Sequence, residues 1–174
     1  VEELDNKIFA SATNARALYQ TTMDSVSKLG LQAGKTFKNN DELIAFSELL
    51  NKTFAISGTS STGIESTMYN LTQALSTGVL RGQDLNAVLS NAPSIVQNIA
   101  DYLEVDVGMI REMASEGQIT AQIVKNAMLS SADEINEKFN KMPMTWNQIW
   151  NKMRNVAIKA LQPVLVKINE LANN

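Results

Sequence analysis

Neither cysteine nor histidine occurs among the 174 residues, and that absence removes much of active-site chemistry at once. It excludes a disulfide, a thiolate nucleophile, a Cys/His zinc site and an imidazole base. Only 3 prolines and 8 glycines interrupt the chain, which favours helix over most of its length. Sustained period-two alternation is missing as well, so no β-sheet is expected. The most apolar late run, Val156 to Leu171, is broken by Lys159, Gln162, Lys167, Asn169 and Glu170. It falls short of the roughly 20 apolar residues that span a bilayer, and no membrane binding is expected. The N-terminal segment has no signal-peptide order and opens on Val1-Glu2-Glu3 as an excised fragment would. A net charge of −3 gives no overall attraction to nucleic acid or anionic lipid. With 44% hydrophobic and 19% charged residues, the composition is that of a folded globular chain with one well-buried core.

What the chain does have is a pair of consecutive helix, glycine, helix units between Leu71 and Met128. Aligning Gly78 with Gly117 brings Leu71 onto Ile110, Leu75 onto Ala114, Leu80 onto Ile119, Leu85 onto Val124 and Leu89 onto Met128. A glycine just past a periodic helix implies a left-handed cap, where a Cβ would be strained. The apolar residue two places on then plugs the next helix into the core. Chance is the better reading of the pairing than duplication, because helix, glycine, helix is a common arrangement.

In chain order, Leu4, Ile8, Ala12, Ala15, Leu18 and Tyr19 recur at helical spacing and predict a first amphipathic helix. A second runs from about Asp24 to Phe37, weakened by Gly30 and Gly34. Asn40 is the expected N-cap of the helix carrying Leu43, Ile44, Phe46, Leu49, Leu50 and Phe54. The Ser57 to Gly63 loop ends it. Ile64 to Leu75, Asp84 to Leu89, a helix opened by Pro93 in its first turn, Val107 to Met113 and Ala121 to Leu129 follow as short helices. Polar, charged sequence then runs from Asp133 to Lys141.

Thr145 is the expected cap of a last helix whose apolar stripe comprises Trp146, Ile149, Trp150, Met153, Ala157, Leu161, Val164, Ile168 and Leu171. Pro163 should kink or break it one turn upstream. The Met and Trp residues from Met142 to Met153 are expected to divide between core and partner contact. Trp146, Trp150, Leu161, Val164, Leu165, Ile168 and Leu171 are the candidate partner contacts. If the distal half projects beyond the core, the isolated chain should self-associate through it.

Candidate chemistry is thin. The Ser57 to Gly63 loop lacks the lysine that follows the last glycine of a P-loop, so a flexible connection that supplies an N-cap is the better reading. Glu112 with Glu116, and Glu134 beside Lys138, sit on polar helix faces, where nothing separates two carboxyl pKa values as acid-base work requires. No catalytic, cofactor or metal residue is assigned. Met109 to Met128 has a helix-turn-helix pattern with Gly117 in the turn, Ile123 toward the core and Thr120, Gln122, Lys125 and Asn126 facing outward. Only Arg111 and Lys125 are basic there, against several acids, and duplex affinity needs phosphate neutralisation.

The same stretch resembles the tape-measure domain near the N-terminus of tail tape-measure proteins of long-tailed bacteriophages and prophages. The likeness rests on Leu71-Thr72-Gln73-Ala74-Leu75, Gly78-Val79-Leu80-Arg81-Gly82-Gln83-Asp84-Leu85, Ala92-Pro93, Ile99-Ala100 with Val105 to Ile110, and Glu116-Gly117-Gln118-Ile119-Thr120. It continues more loosely from Asp41 to Leu75 and through Trp146 to Ile168. At Glu104-Val105 the family often has a glycine instead. The resemblance implies a structural, non-enzymatic role in tail assembly and tail-length determination. It also implies a place in the tail-tube interior after assembly in the host bacterial cytoplasm, with tail proteins and the rest of the parent chain as partners and no cofactor. A DNA-binding regulator is the alternative from residue pattern. A cell-wall-cleaving module is another, since tape-measure proteins can carry such activities elsewhere in their length. The expected fold is all-α, a compact orthogonal bundle of about eight to ten helices with longer flanking helices at both ends. Residues 1–40 form the N-terminal flanking helices, 41–129 the compact tape-measure domain, and 130–174 a linker and long C-terminal helix.

Overall fold

The computed structural model describes residues 1–173, and the described chain is all-α. Ten α-helices occur among these residues: α1 (Glu2–Asn14), α2 (Tyr19–Ala33), α3 (Asn40–Ser57), α4 (Ser61–Thr77), α5 (Gly82–Asn91), α6 (Pro93–Leu103), α7 (Val107–Ser115), α8 (Ala121–Ser130), α9 (Ala132–Asn140) and α10 (Trp146–Ala172). A 3-10 turn, Gly34–Thr36, follows α2. The contacts sort into two compact units, Ser25–Met142 on the one hand and Val1–Asp24 with Pro143–Asn174 on the other.

The Ser25–Met142 unit is built around α3, α6 and α8. Helix α3 packs on α8 and α9, α6 on α8, α7 and α5, and α4 on α5 and α8. Their apolar faces bring together fully buried Phe46, Leu50, Leu71, Ile95, Ile99, Val124 and Met128. Removing each such side chain from water stabilises the fold by roughly 1.5–3 kcal/mol before entropy is set against it. Helix ends are closed by local chemistry. Gly58 ends α3 at φ +64, with its N–H donating to Ala55 and that of Thr59 to Phe54. Ser60 then caps α4 by accepting from the Gly63 N–H at 3.1 Å.

Two local expectations shift here. The N-cap of α3 is Asn39 rather than Asn40: the extended Asn39 accepts from the Glu42 N–H at 2.9 Å, and Asn40 is already helical. The decisive signal is the Asn39-x-x-Glu42 spacing, because the Glu42 carboxylate reaches back to the Lys38 N–H at 3.1 Å. The stretch from Asp133 to Lys141, whose polarity suggested a connecting segment, is helical through Asn140 as α9. One turn apart, Ile135 and Phe139 give it a narrow buried stripe, while Lys138–Glu134 and Lys141–Glu137 pairs solvate the opposite face.

In the other unit, α1 stops at Asn14, and the chain turns through Arg16 at φ +56 before α2 begins at Tyr19. Tyr19 therefore opens the second helix instead of closing the first. Its ring stacks on Phe9 with centroids 3.8 Å apart, and its hydroxyl donates to Asp5. Helix α10 begins after Thr145, which accepts from the Gln148 N–H while the Gln148 side chain accepts from the Thr145 N–H, a complete capping box. It runs through Pro163 without a break. The proline forgoes one backbone bond, to the carbonyl of Lys159, on a helix exposed along most of its length.

Candidate interaction surface

The two glycine turns meet each other. Gly78 caps α4 at φ +97, and Gly117 follows α7 at φ +73. Beyond them the Leu80 N–H donates to the Ile119 carbonyl and the Ala121 N–H to the Gly78 carbonyl, both at 2.8 Å. These bonds make an isolated antiparallel bridge at Val79 and Thr120, the one departure from helix and turn pairing among the described residues. Leu80 and Ile119 lie behind it, fully buried. The aligned pairs Leu71 and Ile110, Leu75 and Ala114, and Leu85 and Val124 are buried in both units, whereas Leu89 is half-buried where Met128 is enclosed. Pro93 is the first residue of α6, where its missing N–H leaves no helix bond unmade. Glu104 ends α6 in the left-handed region at φ +57, the conformation that a glycine at this turn would take without strain.

Of the outward face expected of a helix-turn-helix, Thr120 and Gln122 are exposed and Asn126 is half-buried, but its one lysine is not on it. Lys125 points inward, with 2% of its surface exposed, and its ammonium pairs with Glu42. That bond is the main reason the Glu42 carboxyl is held below the usual carboxylate range. Gln122 donates to the Thr36 carbonyl at 2.9 Å, and Thr120 caps α8 through the Ile123 N–H. Ile123 is only half-buried, and Val124 fills the core position beside it. A second buried lysine, Lys52, is held by Glu48 at 3.0 Å and Asn136 at 2.7 Å, with Phe139 5.5 Å away. Both lysines tie helices together. Glu112 and Glu116 are exposed, and no group of three or more acids among the described residues is placed to hold a metal ion.

Helix α10 is arranged differently. Its inward face is mainly polar, with Ile158 as its half-buried apolar member. Asn151 Nδ2 donates to the Arg16 carbonyl at 3.3 Å and Asn155 Nδ2 to the Ala17 carbonyl at 2.6 Å, while Asn155 Oδ1 accepts from the Tyr19 N–H at 2.7 Å. Gln148 accepts from Arg16 at 3.5 Å, and Gln162 donates to Asp5 at 2.8 Å. Asn155 is the buried residue of the helix, at 3% exposure. Lys159 extends over the Phe9 ring at 5.8 Å, bordering a groove of about 290 Å³ between α1 and α10. Burial first, and then the bond to Asp5 and its charge, push the Tyr19 phenol above its ordinary range.

The apolar stripe faces the other way. Trp146 is 87% exposed and Trp150 58%, and Ile149, Met153, Leu161, Val164, Leu165, Ile168 and Leu171 are exposed with them. The expected division of the Met and Trp residues between core and partner contact is therefore not observed: Met144, Trp146, Trp150 and Met153 are all exposed, and Met142 is half-buried. The sequence reading missed Asn155. Its signal was the amide ladder Gln148, Asn151, Asn155 and Gln162, whose spacings of three, four and seven put all four on one helix face.

A protein-family model described as tape measure protein matches residues 1–166. No curated protein and no solved structure matches the chain.

Proposed function

Because the chain belongs to the tape measure protein family, whose model covers residues 1–166, we propose that it is a section of a phage tail tape-measure protein that acts in tail assembly and in setting tail length. That match is the observation that carries the reading. The family is structural and belongs to phage tails. On this reading the chain enters the assembling tail in the host bacterial cytoplasm and ends in the tail-tube interior, with other tail proteins around it. Two features of the molecule support a scaffold role. The helices of the Ser25–Met142 unit are tied by the buried Lys125–Glu42 ion pair, the Lys52–Asn136 hydrogen bond and paired glycine turns, and α10 offers a long unpartnered apolar face to the remainder of the parent chain or to a neighbouring tail protein. With that partner missing, two copies are expected to meet there.

The test is an in-frame deletion of residues 25–142 from the parent gene, followed by electron microscopy of the particles. Loss of tails, or tails of altered length, is the expected result. Tails of normal number and length would overturn the reading.

A further inference from the structure

We propose that the outward face of α10 docks an acidic amphipathic α-helix, and that a second copy of α10 is not its natural partner. The proposal stands on the geometry of this helix and does not depend on the tape-measure reading. Three observations carry it.

The first is inversion. An amphipathic helix at a protein surface ordinarily turns its apolar stripe to the core and its polar face to water. In α10 the amide ladder is directed at α1 and the turn after it, with partners for Gln148, Asn151, Asn155 and Gln162. The helix is thus held in place without using its apolar side. An uncovered stripe of this length marks an interaction face.

The second is spacing. Trp146, Trp150, Met153, Ala157, Leu161, Val164, Ile168 and Leu171 follow one another at steps of three or four residues. Those steps keep all eight residues on one side of the helix, a seam that the apolar stripe of another helix can cover. At about 1.5 Å per residue the seam is close to 40 Å long, enough for several turns of interlocking side chains.

The third is charge. Helix α10 carries Lys152, Arg154, Lys159 and Lys167 against the single acid Glu170. Placed at about 100° per residue, Arg154 borders the seam on one side and Lys167 on the other, and no acid lies beside it. Lys159 is directed at Phe9, away from the seam. A second α10 would bring more cations and no carboxylate to the positions where paired helices exchange ions. A helix with Glu or Asp beside its own apolar stripe satisfies both Arg154 and Lys167.

The protein carries its own reporter, since its two tryptophans, Trp146 and Trp150, both lie on the seam. The full chain is titrated with two synthetic amphipathic helical peptides that share one Leu/Ile stripe and differ only in Glu or Lys at the flanking positions. Vesicles of mixed phosphatidylcholine and phosphatidylglycerol form a third arm. The Glu-flanked peptide is expected to shift the tryptophan emission to the blue and to bind about tenfold more tightly than the Lys-flanked one, with the gap closing in high salt. Reversing both borders, Arg154→Glu with Lys167→Glu, should invert the preference. Both side chains are exposed, so helicity by circular dichroism should be unchanged. Equal binding of the two peptides, or a preference untouched by the charge reversal, would overturn the proposal. So would a blue shift with vesicles and none with peptide, or sedimentation showing that α10 already pairs with itself more tightly than with the Glu-flanked peptide.

Discussion

Helices α8 and α10 make opposite use of the same kind of sequence. Both are amphipathic, both follow a threonine cap, and both bury a polar side chain. In α8 the apolar residues Val124, Ala127 and Met128 go inward and carry Lys125 with them, where Glu42 meets its charge. In α10 the apolar residues stay outside, and Asn155 goes inward to close the turn between α1 and α2. Periodicity says which residues share a helix face. It is silent on whether that face is covered by the same chain or by another.

The largest expected effect that sharpens this contrast is a pair of truncations. Leu80→Ala, at a fully enclosed position behind the paired glycine turns, should cost about 2–5 kcal/mol in urea unfolding. Leu161→Ala on the outer face of α10 should stay within about 0.5 kcal/mol. If the two cost the same, the stripe of α10 is core and the contrast fails.

Next in size is Lys125→Met, expected to cost about 1.5–3 kcal/mol because the Glu42 carboxylate loses its charged partner and keeps the Lys38 N–H. The pH dependence follows from the direction of the Glu42 shift. A carboxyl whose folded pKa is lowered contributes stability that is present above its ordinary value of 4.5 and is lost as pH falls toward the folded value. Acid titration of unfolding should show that loss in the wild type and much less of it in the variant. An unchanged acid profile would mean that the pair is not what lowers Glu42.

Asn155→Leu should cost about 1–3 kcal/mol, since the Tyr19 N–H and the Ala17 carbonyl both lose their partner at a buried site. Faster amide exchange at Tyr19, with little change in the helices of the Ser25–Met142 unit, is the expected signature. Stabilisation would show that α10 prefers an apolar inward face after all.

The smallest pair concerns backbone conformation, where opposite signs are expected. Gly78→Ala meets no neighbour within 4 Å, so its cost of about 1 kcal/mol is that of a Cβ at positive φ alone. Glu104→Gly relieves the same strain and should stabilise by up to about 1 kcal/mol. Thermal melts of the two variants moving in one direction would refute the shared cause.

Much of the architecture was legible before any coordinates. The lack of period-two alternation, the helical spacing of Leu43 to Phe54 and the Thr145-x-x-Gln148 box are local signals, and local signals decide helix formation and helix ends. Helix α9 was missed because two buried residues, Ile135 and Phe139, are too few to stand out among acids and lysines. Tyr19 was assigned to the wrong helix because its spacing continues that of α1, while the interruption at Arg16 comes from a non-glycine residue at positive φ that no sequence pattern announces.

The surface of α10 divides along the same line. Its stripe, its cationic borders and its amide ladder follow from residue order alone, since 3.6 residues per turn place them. The absence of histidine and cysteine and the helical class were also settled at that level, because they depend on composition and on contacts a few residues apart. Which side of α10 is occupied, the inward turn of Lys125, and the bridge between the two glycine turns required the tertiary structure. Each depends on residues far apart in the chain, Arg16 with Asn151, Glu42 with Lys125 and Leu80 with Ile119, and the free energy of such pairs exists only once the intervening helices have packed.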